Sequence, residues 1–136
     1  MIPIPEDYEL QALDTIPIKK PEAKQQARLV AALRRTWGFL HPLDRPIVFH
    51  VPNGGGRDPK EACNLRTQGV LAGMPDLIIL APGPFTVFIE MKAEGGRVSP
   101  EQRVIHPHIA GLGYVMLVAF SAEEALAQLR KLEWKN

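Results

Sequence analysis

Two short apolar segments joined by a proline–glycine turn constrain the fold of this chain more strongly than any other feature of its sequence. Residues 77–80 and 85–89 are apolar runs rich in β-branched and aromatic side chains, and the intervening residues 81–84 read Ala-Pro-Gly-Pro. Short runs of this composition, separated by turn residues, are typical of two antiparallel strands. The segment therefore predicts a β-hairpin.

The ends of this hairpin bring three ionisable side chains together. A turn centred between Pro82 and Gly83 places Asp76 opposite Ile89 and next to Glu90. Because side chains alternate along a strand, Glu90 and Lys92 project from the same face. Two adjacent carboxylates repel each other, and a divalent cation such as Mg²⁺, which prefers oxygen ligands, offsets that repulsion. The alternative is an ordinary hairpin end, where solvated acids and lysines are common.

Helical and strand patterns alternate along the rest of the chain. Residues 21–37 and 59–70 show helical spacing or helix-start signals, residues 47–51 and 114–118 form apolar β-rich runs, and Ser99 and Ser121 begin two further helices. Pro107 lacks a backbone N–H, so we expect it to kink or split its helix near His106. We read residues 114–118 as a buried strand. The order predicts an α/β fold, a mixed sheet flanked by helices.

Composition and charge restrict the class of protein. The chain has 136 residues, of which 46% are hydrophobic and 23% charged, which fits one globular domain. No apolar run is long enough to span a bilayer, and a single cysteine allows no internal disulfide, so an intracellular, cytoplasmic location is expected. Residues 1–18 carry four acids and no Lys or Arg, whereas residues 19–103 carry a net charge of +5. We interpret residues 1–18 as an arm that packs on the body or on a partner chain, and residues 19–136 as the domain proper.

Three ordered motifs carry a family resemblance. Residues 69–77 read Gly-Val-Leu-Ala-Gly-Met-Pro-Asp-Leu, residues 90–92 read Glu-Met-Lys, and residues 99–102 read Ser-Pro-Glu-Gln. Together they resemble the VRR-NUC branch of the PD-(D/E)XK nucleases over roughly residues 20–132. The resemblance implies a restriction-endonuclease-like core.

The resemblance also implies roles for individual residues. The metal ligands would be Asp76, Glu90 and the carbonyl of Met91, and Lys92 would be catalytic. Gln102 would support the site, although it is also the third helical residue of a capping box. Glu22 would reach the site from the first helix; its stripe also faces inward, but a first-turn acid can simply offset the helix dipole.

Other polar residues have weaker signals. Asn53, Arg57 and Arg66 are candidate contacts for nucleic-acid phosphates, with a plain flexible turn as the alternative. The stripe of Lys24, Arg28 and Arg35 lies opposite the inward face of the first helix and is typical of solvated surface, with contact to a DNA backbone as the alternative. His106 and His108 lack a clear third ligand, which favours a local structural role. We read His50 and Cys63 as core or edge residues.

These features predict a Mg²⁺- or Mn²⁺-dependent deoxyribonuclease. By resemblance, the enzyme would be a structure-selective endonuclease that acts as a homodimer on branched DNA such as four-way (Holliday) junctions. Three alternatives remain open at this point. They are a restriction-like or end-processing nuclease, a non-catalytic nucleic-acid-binding module with the same fold, and an interaction protein whose carboxylates bind structural Ca²⁺.

Overall fold

The computed structural model describes residues 2–52 and 58–135, and helices and strands alternate along it. A 3₁₀ helix spans Asp7–Leu13. The remaining elements, in chain order, are α1 (Pro21–Trp37), β1 (Ile47–His50), α2 (Pro59–Thr67), β2 (Leu77–Ala81), β3 (Phe85–Met91), α3 (Pro100–Gly111), β4 (Val115–Ala119) and α4 (Ala122–Arg130).

The strands form one mixed sheet in the order β1-β2-β3-β4. The β1–β2 and β2–β3 pairs are antiparallel, and β3 and β4 are parallel, with α3 in the connection between them. Helices α1 and α4 pack on each other and against the sheet, and α3 packs on β4. The predicted α/β fold with a mixed sheet flanked by helices is confirmed. In the described part of the chain, no helix is long and apolar enough to cross a membrane.

Alternation along the central strands separates a buried face from a more open one. Leu77 and Ile79 of β2 pair with Ile89 and Val87 of β3, and all four are fully buried. On the opposite face, Ile78, Thr86 and Phe88 are half-buried and Leu80 is exposed. Burying one such aliphatic side chain contributes about 1.5–3 kcal/mol. The hairpin is therefore anchored firmly in the core, and its end is held in a fixed position.

The predicted hairpin register is wrong by one residue. The strands pair from Leu77↔Ile89 to Ala81↔Phe85, so the turn is centred on Gly83 rather than between Pro82 and Gly83. Gly83 has a φ of +135°, and a β-carbon there would lie 2.6 Å from the side chain of Lys135. Only glycine suits this centre, which fixes the three-residue loop. Continuing the observed register by one residue places Asp76 opposite Glu90 instead of Ile89.

Residues 2–18 pack on the body of their own chain. Leu10 is fully buried against the core. The indole N–H of Trp37 donates to the carbonyl of Pro3 at 2.7 Å, and Arg130 donates to the carbonyl of Pro5 at 2.8 Å. The sequence left open whether this arm packs on the body of its own chain or on a partner chain. In the structure it packs on the body. The division of the chain at residue 18 remains a prediction.

Helix α3 is not split by Pro107. It runs without interruption from Pro100 to Gly111, contrary to expectation. Pro107 and Arg103, whose carbonyl loses its N–H donor, are both exposed, so water can satisfy that carbonyl. Buried His106 and Ile109 on the other side hold the helix in place.

Two smaller expectations also differ from the structure. Helix α2 ends at Thr67 rather than near Val70, because Gly69 takes a φ of +109° and the N–H of Val70 donates back to the carbonyl of Leu65 at 2.9 Å. This is the hydrogen bond of a Schellman stop. Strand β4 is half-buried at most positions, not fully buried, because it pairs with β3 alone and forms an edge of the sheet.

Candidate metal centre and active site

Asp76 is held at the start of β2 by its neighbours on both sides. Gly73, with a φ of +93°, packs so closely on α3 that a β-carbon would lie 2.8 Å from the carbonyl of Glu101. Pro75 is buried just before the strand. The Asp76 carboxylate accepts a hydrogen bond from the backbone N–H of Met91 at 2.9 Å. The turn at residues 73–76 thus positions the carboxylate against the end of β3.

Three carboxylates converge at this point. Oxygens of Glu22, Asp76 and Glu90 all lie within 4.8 Å of one another. Glu22 comes from the first turn of α1, which places the N-terminus of that helix over the end of the hairpin. The structure therefore brings together the three acids that the sequence suggested. Their roles as ligands remain a proposal.

Glu90 is almost completely buried, and only one of its oxygens is paired. Its Oε2 lies 3.0 Å from Nζ of Lys92, and the two side chains are 2% and 11% exposed. Its Oε1 has no hydrogen-bond partner among the described residues. A buried carboxylate oxygen without a partner costs about 1–3 kcal/mol or more. Such an oxygen is a ligand atom for which a cation would supply the missing interaction.

The electrostatics of Asp76 also fit a cation site. Burial raises the pKa of its carboxyl above the usual 3.8, and the neighbouring charge of Glu90 raises it further. The N–H of Met91, His50 and Lys92 lower the pKa but do not cancel these effects. The cluster is therefore short of positive charge. Carboxylate oxygens in this arrangement fit a hard divalent ion such as Mg²⁺ or Mn²⁺.

The remaining predicted site residues lie nearby but have other partners in the structure. Met91 stands between Glu90 and Lys92 at the end of β3, and the ligand role of its carbonyl stays a prediction. Gln102 accepts the backbone N–H of Ser99 at 2.9 Å, and the hydroxyl of Ser99 accepts the N–H of Gln102 at 3.2 Å. The side-chain oxygen of Gln102 therefore serves the capping box. Its supporting role in the site stays a prediction.

An open cleft of about 460 Å³ leads to the carboxylates. It lies between the start of α1 and the end of β1, and its lining residues are Lys20, Glu22, Ala23, Gln26, His50, Pro52 and Asp76. The cleft gives a ligand access to Glu22 and Asp76 from solvent.

His50 is a cleft residue that the sequence did not identify. It is exposed, and its Nδ1 lies 2.8 Å from the backbone carbonyl of Asp76. His50 lies in the edge strand β1, which agrees with its interpretation as a core or edge residue, but local sequence patterns do not show its place in the cleft. Only the pairing of His50 with Leu77 brings it beside Asp76, and nothing in the sequence predicts that β1 and β2 are neighbours.

The other sequence candidates are dispersed. Asn53 and Arg57 lie outside the described residues. Arg66 is exposed on α2, a helix none of whose residues is buried, and its contact with nucleic acid stays a prediction. His108 is exposed, whereas His106 is buried. Cys63 is exposed on α2.

The basic stripe of α1 is not continuous solvated surface. Arg28 is buried, and its guanidinium lies 3.1 Å from Asp14 and 3.0 Å from Glu123. The prediction for this residue is wrong because the N-terminal segment and α4 cover that part of the helix. Arg28 connects three parts of the fold instead of facing a ligand.

Comparisons with known proteins identify the family of this chain and domains of similar fold. A solved structure described as a VRR_NUC domain protein is 25% identical to this chain, with a TM-score of 0.63, and the match covers 84% of this chain and 88% of the other. A second, described as a VRR_NUC domain, is 19% identical with a TM-score of 0.57 over 85% of this chain and 100% of the other, and shows likeness of fold. No curated protein matches the sequence. The family model for the VRR-NUC domain matches residues 11–123, well over half of the sequence, and the chain therefore belongs to the VRR-NUC family, a nuclease-type domain.

Proposed function

We propose that this protein is a metal-dependent endonuclease that hydrolyses phosphodiester bonds in DNA. The observation that carries the proposal is the convergence of Glu22, Asp76 and Glu90 within 4.8 Å, beside Lys92. Asp76 and Glu90 would hold Mg²⁺ or Mn²⁺ with the carbonyl of Met91, and Glu22 would complete the acidic side of the site. A divalent ion bound there lowers the pKa of a water and offsets the charge that develops on the phosphate.

The side chains around the proposed metal site would have separate tasks. Lys92 is fixed by its ion pair with Glu90, so its ammonium can orient the attacking water or stabilise the developing negative charge. A backbone carbonyl can only accept a hydrogen bond, so Nδ1 of His50 must carry a hydrogen in order to donate to the carbonyl of Asp76. This leaves Nε2 of His50 for a substrate group. Lys20, on the wall of the same cleft, offers a charge to a backbone phosphate.

The preferred substrate is branched DNA, and the active form is a homodimer. The support is the family resemblance together with the size of the site, because one small centre cuts one strand. The N-terminal segment buries Ile2, Leu10 and Leu13 in the hydrophobic core of its own chain. A dimer would therefore form through another surface or through the outer side of this segment, not through an extended arm.

A cleavage assay tests this proposal. End-labelled linear duplex, flap and four-way-junction DNA are incubated with the protein in Mg²⁺ or in EDTA. We expect the wild-type protein to cleave the junction in Mg²⁺ but not in EDTA. The Lys92→Met variant should not cleave it in either condition. The matched control is Lys131→Met, which removes an exposed lysine at the end of α4 and should cleave like wild type.

The same assay separates the alternatives. DNA binding without cleavage at any metal concentration would favour a non-catalytic binding module. Degradation of linear ends in preference to the junction would favour an end-processing or restriction-like enzyme. A metal-dependent rise in melting temperature with neither binding nor cleavage would favour a structural cation site and overturn the nuclease proposal.

A further inference from the structure

One face of α3 is directed at the candidate site. The helix stands directly on Gly73, where a β-carbon would lie 2.8 Å from the carbonyl of Glu101 and 3.0 Å from the N–H nitrogen of Gln102. Residues three and four apart share one side of a helix. The helix face that includes Gln102 and contacts Gly73 therefore also carries His106 and Ile109. Both of these residues are buried.

Gln102 and His106 differ in whether their side-chain polar atoms already have hydrogen-bond partners. The side-chain oxygen of Gln102 is taken by the backbone N–H of Ser99 in the capping box. The imidazole of His106 interacts with the backbone of Gly73, but its Nε2 is buried without a hydrogen-bond partner among the described residues. Among the described residues, the unpaired buried polar atom on this face of α3 is therefore Nε2 of His106.

The surroundings of His106 are those of the active site. Burial lowers the pKa of its imidazole, and the positive charge of Lys92 lowers it further. The backbone of Gly73 and the charge of Asp76 act in the opposite direction. The ring thus lies close enough to Lys92 and Asp76 for their charges to affect it, and it interacts with the backbone of Gly73. A neutral imidazole has one N–H and one lone pair, which suit a carbonyl and an ammonium respectively.

We propose that His106 is a positioning residue of the nuclease site, which holds the turn at Gly73 and the ammonium of Lys92 in a fixed arrangement. The inference rests on the proposed function for its catalytic consequence. Leucine at this position would remove the unpaired Nε2, which stabilises the fold, and would also remove the interaction with the Gly73 backbone, which destabilises it, so the two effects should largely cancel. The histidine at this position is then explained by the arrangement of the site rather than by the stability of the fold.

The test compares His106→Leu with His108→Leu, a matched control because His108 is exposed on the same helix. We expect His106→Leu to change the melting temperature little and to leave KM and Mn²⁺ affinity within about twofold. Its kcat should fall by about 10- to 100-fold, the usual effect of removing a group that orients site residues. His108→Leu should behave like wild type.

Conservative variants give a second readout. Asn places its amide nitrogen near the position of Nδ1, and Gln places it near Nε2. We expect either His106→Asn or His106→Gln, whichever restores the anchoring N–H, to recover most of kcat. The proposal would be overturned if His106→Leu had the same kcat as wild type. It would also be overturned if kcat and the melting temperature fell together in all three variants.

A measurement without DNA keeps this inference distinct from the proposed function. The ¹⁵Nζ resonance of Lys92, assigned by its absence in Lys92→Met, should move in His106→Leu and stay in place in His108→Leu. If wild type cleaves no DNA but this resonance moves as expected, the proposed function fails and the positioning contact stands. If wild type cleaves DNA and the resonance does not move, the positioning role of His106 is refuted.

Discussion

Replacing Asp76 by asparagine should stabilise the metal-free protein and destroy its response to metal. The change removes one of three carboxylates that lie within 4.8 Å of one another. At that separation, and at an effective dielectric constant of about 20, each like-charge pair costs about 3–4 kcal/mol. Lys92 and His50 return part of this energy. The side-chain oxygen of asparagine can still accept the N–H of Met91, with a loss of about 1 kcal/mol of charge assistance.

The net effect is a modest gain in stability in EDTA. We expect Asp76→Asn to raise the free energy of unfolding by about 1–2 kcal/mol, which for a chain of this length raises the melting temperature by about 3–7 °C. The sign depends on pH. Because the pKa of Asp76 is raised in the folded protein, wild type loses stability as pH rises through that pKa. The advantage of the variant should therefore be largest near neutral pH and vanish below about pH 3.8.

Metal should reverse the order of the two proteins. A ligand present at about 100 times its Kd stabilises the folded state by about 2.7 kcal/mol. Wild type should gain this from Mn²⁺, whereas Asp76→Asn should gain little. Cleavage should fall about a thousandfold or more in the variant, since a bound ion contributes several kcal/mol to such reactions. Scanning calorimetry in EDTA and in saturating Mn²⁺ measures the stabilities. Equal gains from Mn²⁺ in both proteins, or a lower melting temperature for the variant in EDTA, would refute the reasoning.

Three further substitutions test other parts of the molecule. Lys20→Ala should weaken DNA binding and reduce the salt dependence of log K by about one, as fluorescence anisotropy at several salt concentrations would show; an unchanged slope would remove Lys20 from the interface. Arg28→Ala should lower the free energy of unfolding, measured in urea, by about 2–3 kcal/mol, because the variant loses the charged hydrogen bonds to α4 and the ion pair with Asp14. A decrease of less than about 0.5 kcal/mol would contradict this. Pro107→Ala should restore an N–H donor for the carbonyl of Arg103 and add about 1–2 kcal/mol with cleavage unchanged, and a loss of stability would show that the proline is required.

Local signals predicted the elements well. The bounds of α1 follow from helical periodicity and from proline at its first position, and the structure has the same residues. The caps at Ser99 and Ser121 are also confirmed. The approach of Asp76 to Glu90 survived an error of one residue in register, because both lie at the same end of the hairpin.

Features that depend on distant contacts were not predictable in this way. Arg28 lies on the outer stripe of an isolated helix, and only the packing of Asp14 and α4 over it makes it buried. His50 joins the cleft through pairing between strands that are far apart in sequence. His106 interacts with the backbone of Gly73 because α3 packs directly on that glycine. In each case the side chain obtains its environment from elements that periodicity and turn chemistry do not relate to one another.

The most direct test of the metal centre is an anomalous-scattering map of crystals soaked in Mn²⁺. A strong peak should lie within bonding distance, about 2.1–2.3 Å, of oxygens from both Asp76 and Glu90, and the same soak of Asp76→Asn crystals should show it lost or greatly weakened. A crystal at saturating Mn²⁺ with no peak at these carboxylates, or with an equally strong peak in the variant, would contradict the assignment of this site as a metal centre.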